Sequence, residues 1–283
     1  MTLLLSAKPV VELLKTQLSE RVVDFKKNHH RAPKLSVVLV GDHPASVIYT
    51  TKKGEMAQLL GMDHETIHLP SNSSSQEVHK TIRKLNTDPM VDGILIQRPL
   101  PSTFKDSETL LWVSPEKDVD AFHPINVGNL SLGLPCFVSC TPAGIMEILK
   151  HYKIFPSGKL ACVVGRSSIV GKPVATLLLQ ANATVIQCHS KTPDLKALTT
   201  QADLLIVAAG KPGLLDGTFV KKGAVVIDVG IHRDATGKVS GDVVFQSAAE
   251  KASAITPVPG GVGPMTIMML MGNTVLAAER SLS

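Results

Sequence analysis

The sequence predicts an α/β protein with two domains and parallel sheets. Apolar β-branched runs with a glycine at or next to their end alternate with stretches of helical periodicity, as in Leu35–Gly41, Leu160–Gly165, Asp203–Gly210 and Ala224–Ile231. Hydrophobic residues make up 44% of the 283 positions but aromatic residues only 4%, the composition of strands buried under helices rather than of an aromatic-rich sandwich. At this length one large or two medium domains can each bury a core.

Val10, Leu13, Leu14, Leu18 and Val22 recur at helical intervals with Lys15, Glu20 and Lys26 opposite, which predicts a covering helix to about residue 25. Leu35–Gly41 is a buried strand. It turns through Gly-Asp-His-Pro into a helix that ends at Leu60-Gly61-Met62. The serines at 71 and 73–75 supply an N-cap for a second amphipathic helix built on Val78, Ile82 and Leu85. A strand over Val91–Gln97 follows, stopped by Arg98-Pro99-Leu100-Pro101, and the polar stretch Ser114–Gly128 reads as a loop held in place by Val119, Phe122 and Ile125.

Thr141-Pro142 opens a helix with Ile145, Ile148 and Leu149 on its apolar side, and the domain junction is expected near residue 140. Beyond it come a βαβ unit (Leu160–Gly165, a turn to Pro173, Val174–Leu179, Ala183–Cys188) and two further buried strands. The rigid segment Thr256–Thr266 then leads into a Met-rich terminal helix, whose Met268, Met269 and Met271 read as core filler.

The net charge of +5 suits an anionic ligand, yet Lys and Arg are dispersed and no basic stripe with interleaved aromatics points to nucleic acid. Cys136, Cys140, Cys162 and Cys188 lack paired metal-ligand spacing and read as free thiols. No metal is expected. No signal-peptide pattern and no run of the ~18 apolar residues a membrane span needs is found, so a cytoplasmic protein is expected.

Three reactive side chains share one stretch. Ser46, Tyr49 and Lys53 fall within about 60° of one another around a helix axis, and that helix starts at the carboxyl end of a strand, where open α/β sheets bind ligands. Gln97 closes the next strand; its amide can donate to one group and accept from another, as a neighbouring amine requires. Asp120 is a carboxylate able to grip the amidine-like N–H edge of a heterocycle, whereas Asp118 is expected to pair with a lysine or cap a helix. In the second half the turn Gly165–Gly171 is not G-x-G-x-x-G, but it sits between strand and helix where a nucleotide phosphate belongs. After the next strand, His189-Ser190-Lys191-Thr192 replaces the acidic residue of NAD sites, and with Arg166 it suits the 2′-phosphate of NADP.

In order along the chain, Ser46…Tyr49…Lys53, Gln97–Pro101, Lys117–Asp120, Cys140-Thr141-Pro142, Val164–Ser167 with Val170–Pro173, His189–Thr192 and Pro257–Thr266 closely resemble the bifunctional methylenetetrahydrofolate dehydrogenase/methenyltetrahydrofolate cyclohydrolase family of bacterial type. The resemblance implies two α/β domains around a cleft: residues 1–139 as the folate-binding catalytic domain, with 265–283 returning to it, and 140–264 as a Rossmann-like NADP domain. It implies NADP-dependent oxidation of 5,10-methylenetetrahydrofolate, then hydrolysis to 10-formyltetrahydrofolate. It places Lys53 as the key catalytic amine, Gln97 as its partner, Tyr49 as the ring that stacks on folate and Asp120 on the pterin edge. Ser46, Pro259 and Gly260 become further substrate contacts, and Thr141, Gly165, Arg166, Ser167, Ser190 and Ile231 the NADP contacts. A homodimer through the nucleotide domains is implied as well. Tyr-x-x-x-Lys also marks short-chain dehydrogenases, but there the nucleotide glycines precede the tyrosine.

Four positions depart from the resembled pattern: Arg98 for an apolar residue, Ala121 for glycine, Ser139 for proline and Val244 for an acidic residue. Arg98 is open to three readings, namely like-charge repulsion of Lys53, attraction of a polyglutamate tail, or a side chain in solvent, with solvent the plain expectation.

Overall fold

The structure is a computed structural model that describes residues 2–234 and 236–282. The chain divides into two compact units, Leu13–Val138 with Ile267–Ser283 and Met1–Glu12 with Ser139–Thr266. It opens with strand β1 (Leu3–Leu4) and helix α1 (Lys8–His29).

The first unit continues with β2 (Lys34–Val40), α2 (Pro44–Leu59), β3 (Asp63–Leu69), α3 (Ser75–Thr87), β4 (Gly93–Ile96), α4 (Asp106–Thr109) and α5 (Pro124–Leu132). Its three strands pair in parallel in the order β3-β2-β4. Alternation along β2 sends Val38 and Val40 to one side, where they pack with Val78, Ile82 and Leu85 of α3 and with Ile94 and Ile96. A reciprocal capping box starts α3: Ser74 Oγ accepts from Glu77 N and the Glu77 carboxylate accepts from Ser74 N.

Helix α1 and the last part of the terminal helix complete this unit. Asn273 Nδ2 donates to the carbonyls of Val119 and Val138 at 2.8 and 3.0 Å, and Arg21 forks onto Glu279 at 3.0 and 2.6 Å. Gly93 is required beneath: a Cβ there would lie 2.7 Å from Val119 Cγ1 and 3.1 Å from Thr274 Oγ1.

The second unit holds α6 (Cys140–His151), β5 (Leu160–Val164), α7 (Gly171–Gln180), β6 (Thr184–Cys188), α8 (Leu195–Thr199), β7 (Leu204–Val207), β8 (Val225–Asp228), the small pair β9 (His232–Arg233) and β10 (Val239–Ser240), α9 (Phe245–Ala249), β11 (Ala254–Ile255) and the start of α10 (Val262–Ser281). Six parallel strands run in the order β1-β11-β8-β7-β5-β6. This is the Rossmann-like parallel sheet that the βαβ pattern predicts. Cys162, Val164, Leu205, Val207 and Val226 form its core.

The structure departs from the sequence reading in three places. Residues 2–12, expected with the first domain, cluster with Ser139–Thr266, where β1 pairs with β11 in the register Leu3↔Ala254. Two residues carry no periodicity that could announce such a strand. β3 was not expected either, since Asp-His-Glu-Thr-Ile-His-Leu is polar and lies at a sheet edge. The polar stretch before residue 128 runs into α5, whose N-cap His123 accepts from Ile125 N through Nδ1 at 3.2 Å.

β3 brings a histidine under α2. His64 lies against Gly54, where a Cβ would meet its Cε1 and Nδ1 at 3.0 Å, and its Nε2 is buried without a hydrogen-bond partner among the described residues. Burial pushes the imidazole below its ordinary value; Glu65 opposes that shift and Lys53 adds to it. The unfolded chain therefore takes up this proton first on acidification. The stability given by neutral His64 is present above about pH 6.5 and is lost as the pH falls below it. Thermal midpoints measured from pH 7.5 to 5.5 should fall less steeply for His64→Leu than for the parent; parallel curves would mean that His64 carries no such cost.

Candidate active site

In the β2–β4 sheet and among β5, β6 and β7 of the six-stranded sheet, the earliest of the three strands lies between the other two, so consecutive crossovers run in opposite directions and open a crevice at the carboxyl ends of β2 and β4 and of β5 and β7. The candidate catalytic residues collect at the ends of β2 and β4.

Ser46 and Lys53 lie on the buried side of α2, Lys53 only 8% exposed, while Tyr49 is 39% exposed. The Lys53 ammonium donates to Gln97 Oε1 at 2.8 Å. Gln97 follows β4, its backbone N–H held by Val38 O, and its Nε2 donates to Arg98 O at 2.6 Å. A carbonyl can only accept, so this contact fixes the amide with its oxygen toward the lysine. Ser46 Oγ reaches the same Arg98 carbonyl at 3.4 Å. The sequence thus gathers an amide and a hydroxyl on one backbone oxygen and holds the amine on the far side of the amide.

Asp120 faces a small cavity of about 20 Å³ with Ile94, Ile96, Arg98, Thr109 and Asp118. Arg98 does not simply extend into solvent. Its Nη2 donates to the buried Thr109 hydroxyl at 3.1 Å, and the residue is half-buried. Asp118, expected to meet a lysine or a helix cap, accepts from His123 N and Asn126 Nδ2 at 2.7 and 3.0 Å at the start of α5. Burial raises its pKa, which those hydrogen bonds partly offset.

In the second unit the crevice lies at the ends of β5 and β7. Gly165, at φ +133°, has no room for a side chain: a Cβ would sit 2.1 Å from Ala208 O. Gly171 is equally confined, with Gly165 O at 2.4 Å. Ser167 Oγ accepts from Val170 N and Gly171 N, both at 3.2 Å, and shapes the start of α7. Gly165 N donates to Cys188 O at 2.9 Å, which sets this turn beside the one after β6, where His189 N donates to Thr192 Oγ1. Arg166, Ser190 and Lys191 are exposed there. A close-packed glycine turn at a helix start, flanked by a guanidinium, a hydroxyl and an ammonium, with no carboxylate among His189–Thr192 directly after β6, fits a dinucleotide with a 2′-phosphate. Ile231 is 50% exposed after β8, Thr141 shares a hydroxyl contact with Thr266 at 3.0 Å, and Pro259 and Gly260 are exposed before α10.

Residues 5–120 match the sequence model of the tetrahydrofolate dehydrogenase/cyclohydrolase catalytic domain, and residues 139–282 match that of the NAD(P)-binding domain of the same family. The chain belongs to the tetrahydrofolate dehydrogenase/cyclohydrolase family. Among relatives of this family, the bifunctional protein FolD of Streptococcus thermophilus is 50% identical over 282 residues, covering 100% of this chain and 99% of that protein. The crystal structure of the bifunctional FolD enzyme of Campylobacter jejuni has a TM-score of 0.97 at 47% identity, covering 99% of each chain. That of the Trypanosoma brucei dehydrogenase-cyclohydrolase, complexed with NADP cofactor and inhibitor, has a TM-score of 0.95 at 35% identity, over 99% of this chain and 98% of that one.

The departures from the family pattern have local structural contexts. Ala121 sits at φ +61°, the left-handed region in which glycine is at ease. Ser139 donates through Oγ to Ile169 O at 2.7 Å. Val244 occupies the N-cap of α9 with extended backbone (φ −73°, ψ 90°) and no side-chain cap. Val244→Asp should supply that cap and raise stability by about 1 kcal/mol, seen as a thermal midpoint higher by roughly 2 °C; an unchanged midpoint would leave the position without a capping role.

Sequence reasoning did not single out Asp228 and Asp242, two buried carboxylates that no chemical pattern marks. Their one signal is an acidic residue at the end of an apolar strand and another beside a glycine.

Proposed function

We propose that this chain oxidises 5,10-methylenetetrahydrofolate with NADP and hydrolyses the resulting 5,10-methenyl cation to 10-formyltetrahydrofolate, with Lys53 as the key catalytic amine. The observation that carries the assignment of Lys53 is its 2.8 Å bond to an amide whose orientation is itself fixed. Family membership supplies the reaction.

The exposed ring of Tyr49 offers a flat face to the folate, and the Asp120 carboxylate accepts from the N–H edge of the pterin. NADP, when bound, accepts the hydride that leaves the one-carbon bridge. Gly165, Arg166, Ser167, Ser190, Ile231 and Thr141 are the residues that would hold it. For hydrolysis, water adds to the methenyl carbon and gives up one proton; the carbon–nitrogen bond to one ring nitrogen then breaks as that nitrogen takes a proton and the new hydroxyl gives up its own to form the formyl carbonyl, so one proton is released overall. Lys53 is placed to move these protons, while Gln97 keeps the amine aimed. Hydride transfer asks for position and the hydrolysis for acid–base chemistry, so one site serves both.

Pro259, Gly260 and Ser46 complete the substrate contacts in this reading. The groove of about 590 Å³ along Arg98, Pro99, Leu100, Pro101 and Phe104 offers room for a polyglutamate tail. β6 ends its sheet with one edge open, which supports a homodimer through the nucleotide units. All four cysteines are free thiols, as suits the reducing cytoplasm.

A coupled assay tests the reading. Methylenetetrahydrofolate with NADP should yield NADPH absorbance followed by loss of the methenyl band, and NAD in its place should serve poorly. A chain that binds both ligands without turnover would overturn it.

A further inference from the structure

Two buried carboxylates lie behind the nucleotide crevice, and neither belongs to any contact discussed so far. Asp242 is fully buried and uses both oxygens twice. Oδ2 accepts from Ala209 N at 2.6 Å and Gly210 N at 3.0 Å, while Oδ1 accepts from Lys211 N at 2.9 Å and His232 Nε2 at 2.7 Å. Three of these donors are the backbone directly after β7, the third strand of the crevice, and the fourth follows β8. Asp242 is in turn held from behind. Asp228, the last residue of β8, accepts from Gly230 N, Asp242 N and Val243 N at 3.0, 2.9 and 3.0 Å.

The surrounding glycines show how tightly this is built. A Cβ on Gly230 would lie 2.4 Å from Asp242 Oδ1, and a Cβ on Gly241 would overlap the Asp228 carboxylate. Two like charges are buried side by side here, and burial with Asp242 nearby pushes Asp228 up to about 6 despite its three N–H donors. Such an arrangement costs free energy that a merely structural loop closure would not require, since a neutral hydrogen-bonding side chain closes a loop without it. What the carboxylate of Asp242 adds is four acceptor sites, which gather three consecutive backbone N–H groups onto one side chain.

We propose that Asp242, seated on Asp228, is a positioning residue of the nucleotide site, fixing the Ala209–Lys211 backbone and His232 in the arrangement that NADP binding requires. The inference rests on the NADP reading given above. Ala208, whose carbonyl meets the crevice glycine Gly165, directly precedes the held segment, so any drift of that segment reaches the glycine turn.

The test is Asp242→Asn, which keeps shape and volume but leaves one acceptor oxygen and turns an NH2 group toward two of the four existing donors. NADP affinity measured by calorimetry should weaken 10- to 100-fold, with faster hydrogen exchange at amides 209–211. Hydrolysis of supplied methenyltetrahydrofolate, which uses no nucleotide chemistry, should stay within twofold. NADP affinity within twofold of the parent, or loss of hydrolysis in step with binding, overturns the inference. If Asp242→Asn does not fold, His232→Leu replaces it: removing one donor of four should weaken NADP two- to fivefold, and unchanged affinity counts against the proposal. Failure of the parent protein itself to bind NADP would instead refute the cofactor reading.

Discussion

Lys53→Met is expected to lower cyclohydrolase activity by 10²- to 10⁴-fold, the range that a positioned acid–base group contributes, with the substrate KM little changed. Methionine matches the length of the lysine stem and fills the same buried space on α2, so packing is kept while the transferable protons are lost. The change leaves Gln97 Oε1 without its 2.8 Å partner, which costs stability on the order of 1 to 3 kcal/mol. A chain that remains folded at 25 °C should result. Hydride transfer depends on how the substrate is held, so the dehydrogenase should fall less than the cyclohydrolase. The ratio of the two rates, read from NADPH formation and methenyl decay in one cuvette, is the diagnostic quantity. Near-parental decay of methenyltetrahydrofolate would remove Lys53 from the chemistry altogether.

Gly165→Ala should cost NADP affinity 100-fold or more. The added methyl would stand 2.1 Å from Ala208 O and 2.8 Å from its carbonyl carbon, at a φ of +133° that side chains avoid. Relief requires the ends of β5 and β7 to part, which widens the crevice that receives the nucleotide and destabilises the unit by about 3 kcal/mol. Calorimetry with NADP and the dehydrogenase assay should fail together, whereas hydrolysis of supplied methenyltetrahydrofolate should persist because Lys53 and Gln97 belong to the other unit. Unaltered NADP affinity would place the nucleotide elsewhere than at this turn.

The long periodic elements were legible in the sequence because burial on both faces leaves a plain record. β2, β5, β7 and β8 are continuous apolar runs, and the helices between them show regular apolar spacing. The Lys53–Gln97 pair was legible as a lysine on the helix that follows β2 and an amide at the carboxyl end of β4, but the bond that aims the amide was not, since it depends on the Arg98 carbonyl. Edge and junction structure left no such record. β1 and β11 are two residues each, β3 is mostly polar, and α5 begins inside a stretch whose side chains are occupied with loop hydrogen bonds. Arg98 was misjudged for the same reason. An arginine beside a crevice is expected in water unless a buried hydroxyl lies within reach, and Thr109 is eleven positions further on. Asp228 and Asp242 escaped notice because all but one of the donors they accept from are backbone N–H groups, which no residue identity reveals.

The pairing of Leu3 with Ala254 bears on how the polypeptide is made. A ribosome releases the first strand of the nucleotide sheet some 250 residues before its neighbour exists, and the helical turns from Ile267 onward that belong to the other unit emerge later still. Neither half can be finished as it leaves the exit tunnel, so each nascent segment waits with an open edge, a state in which chaperones matter and early termination is punished. Cutting the gene at the midpoint would yield two fragments that each lack a piece of themselves; an excised nucleotide half would need residues 2–12 grafted back before it could stand alone.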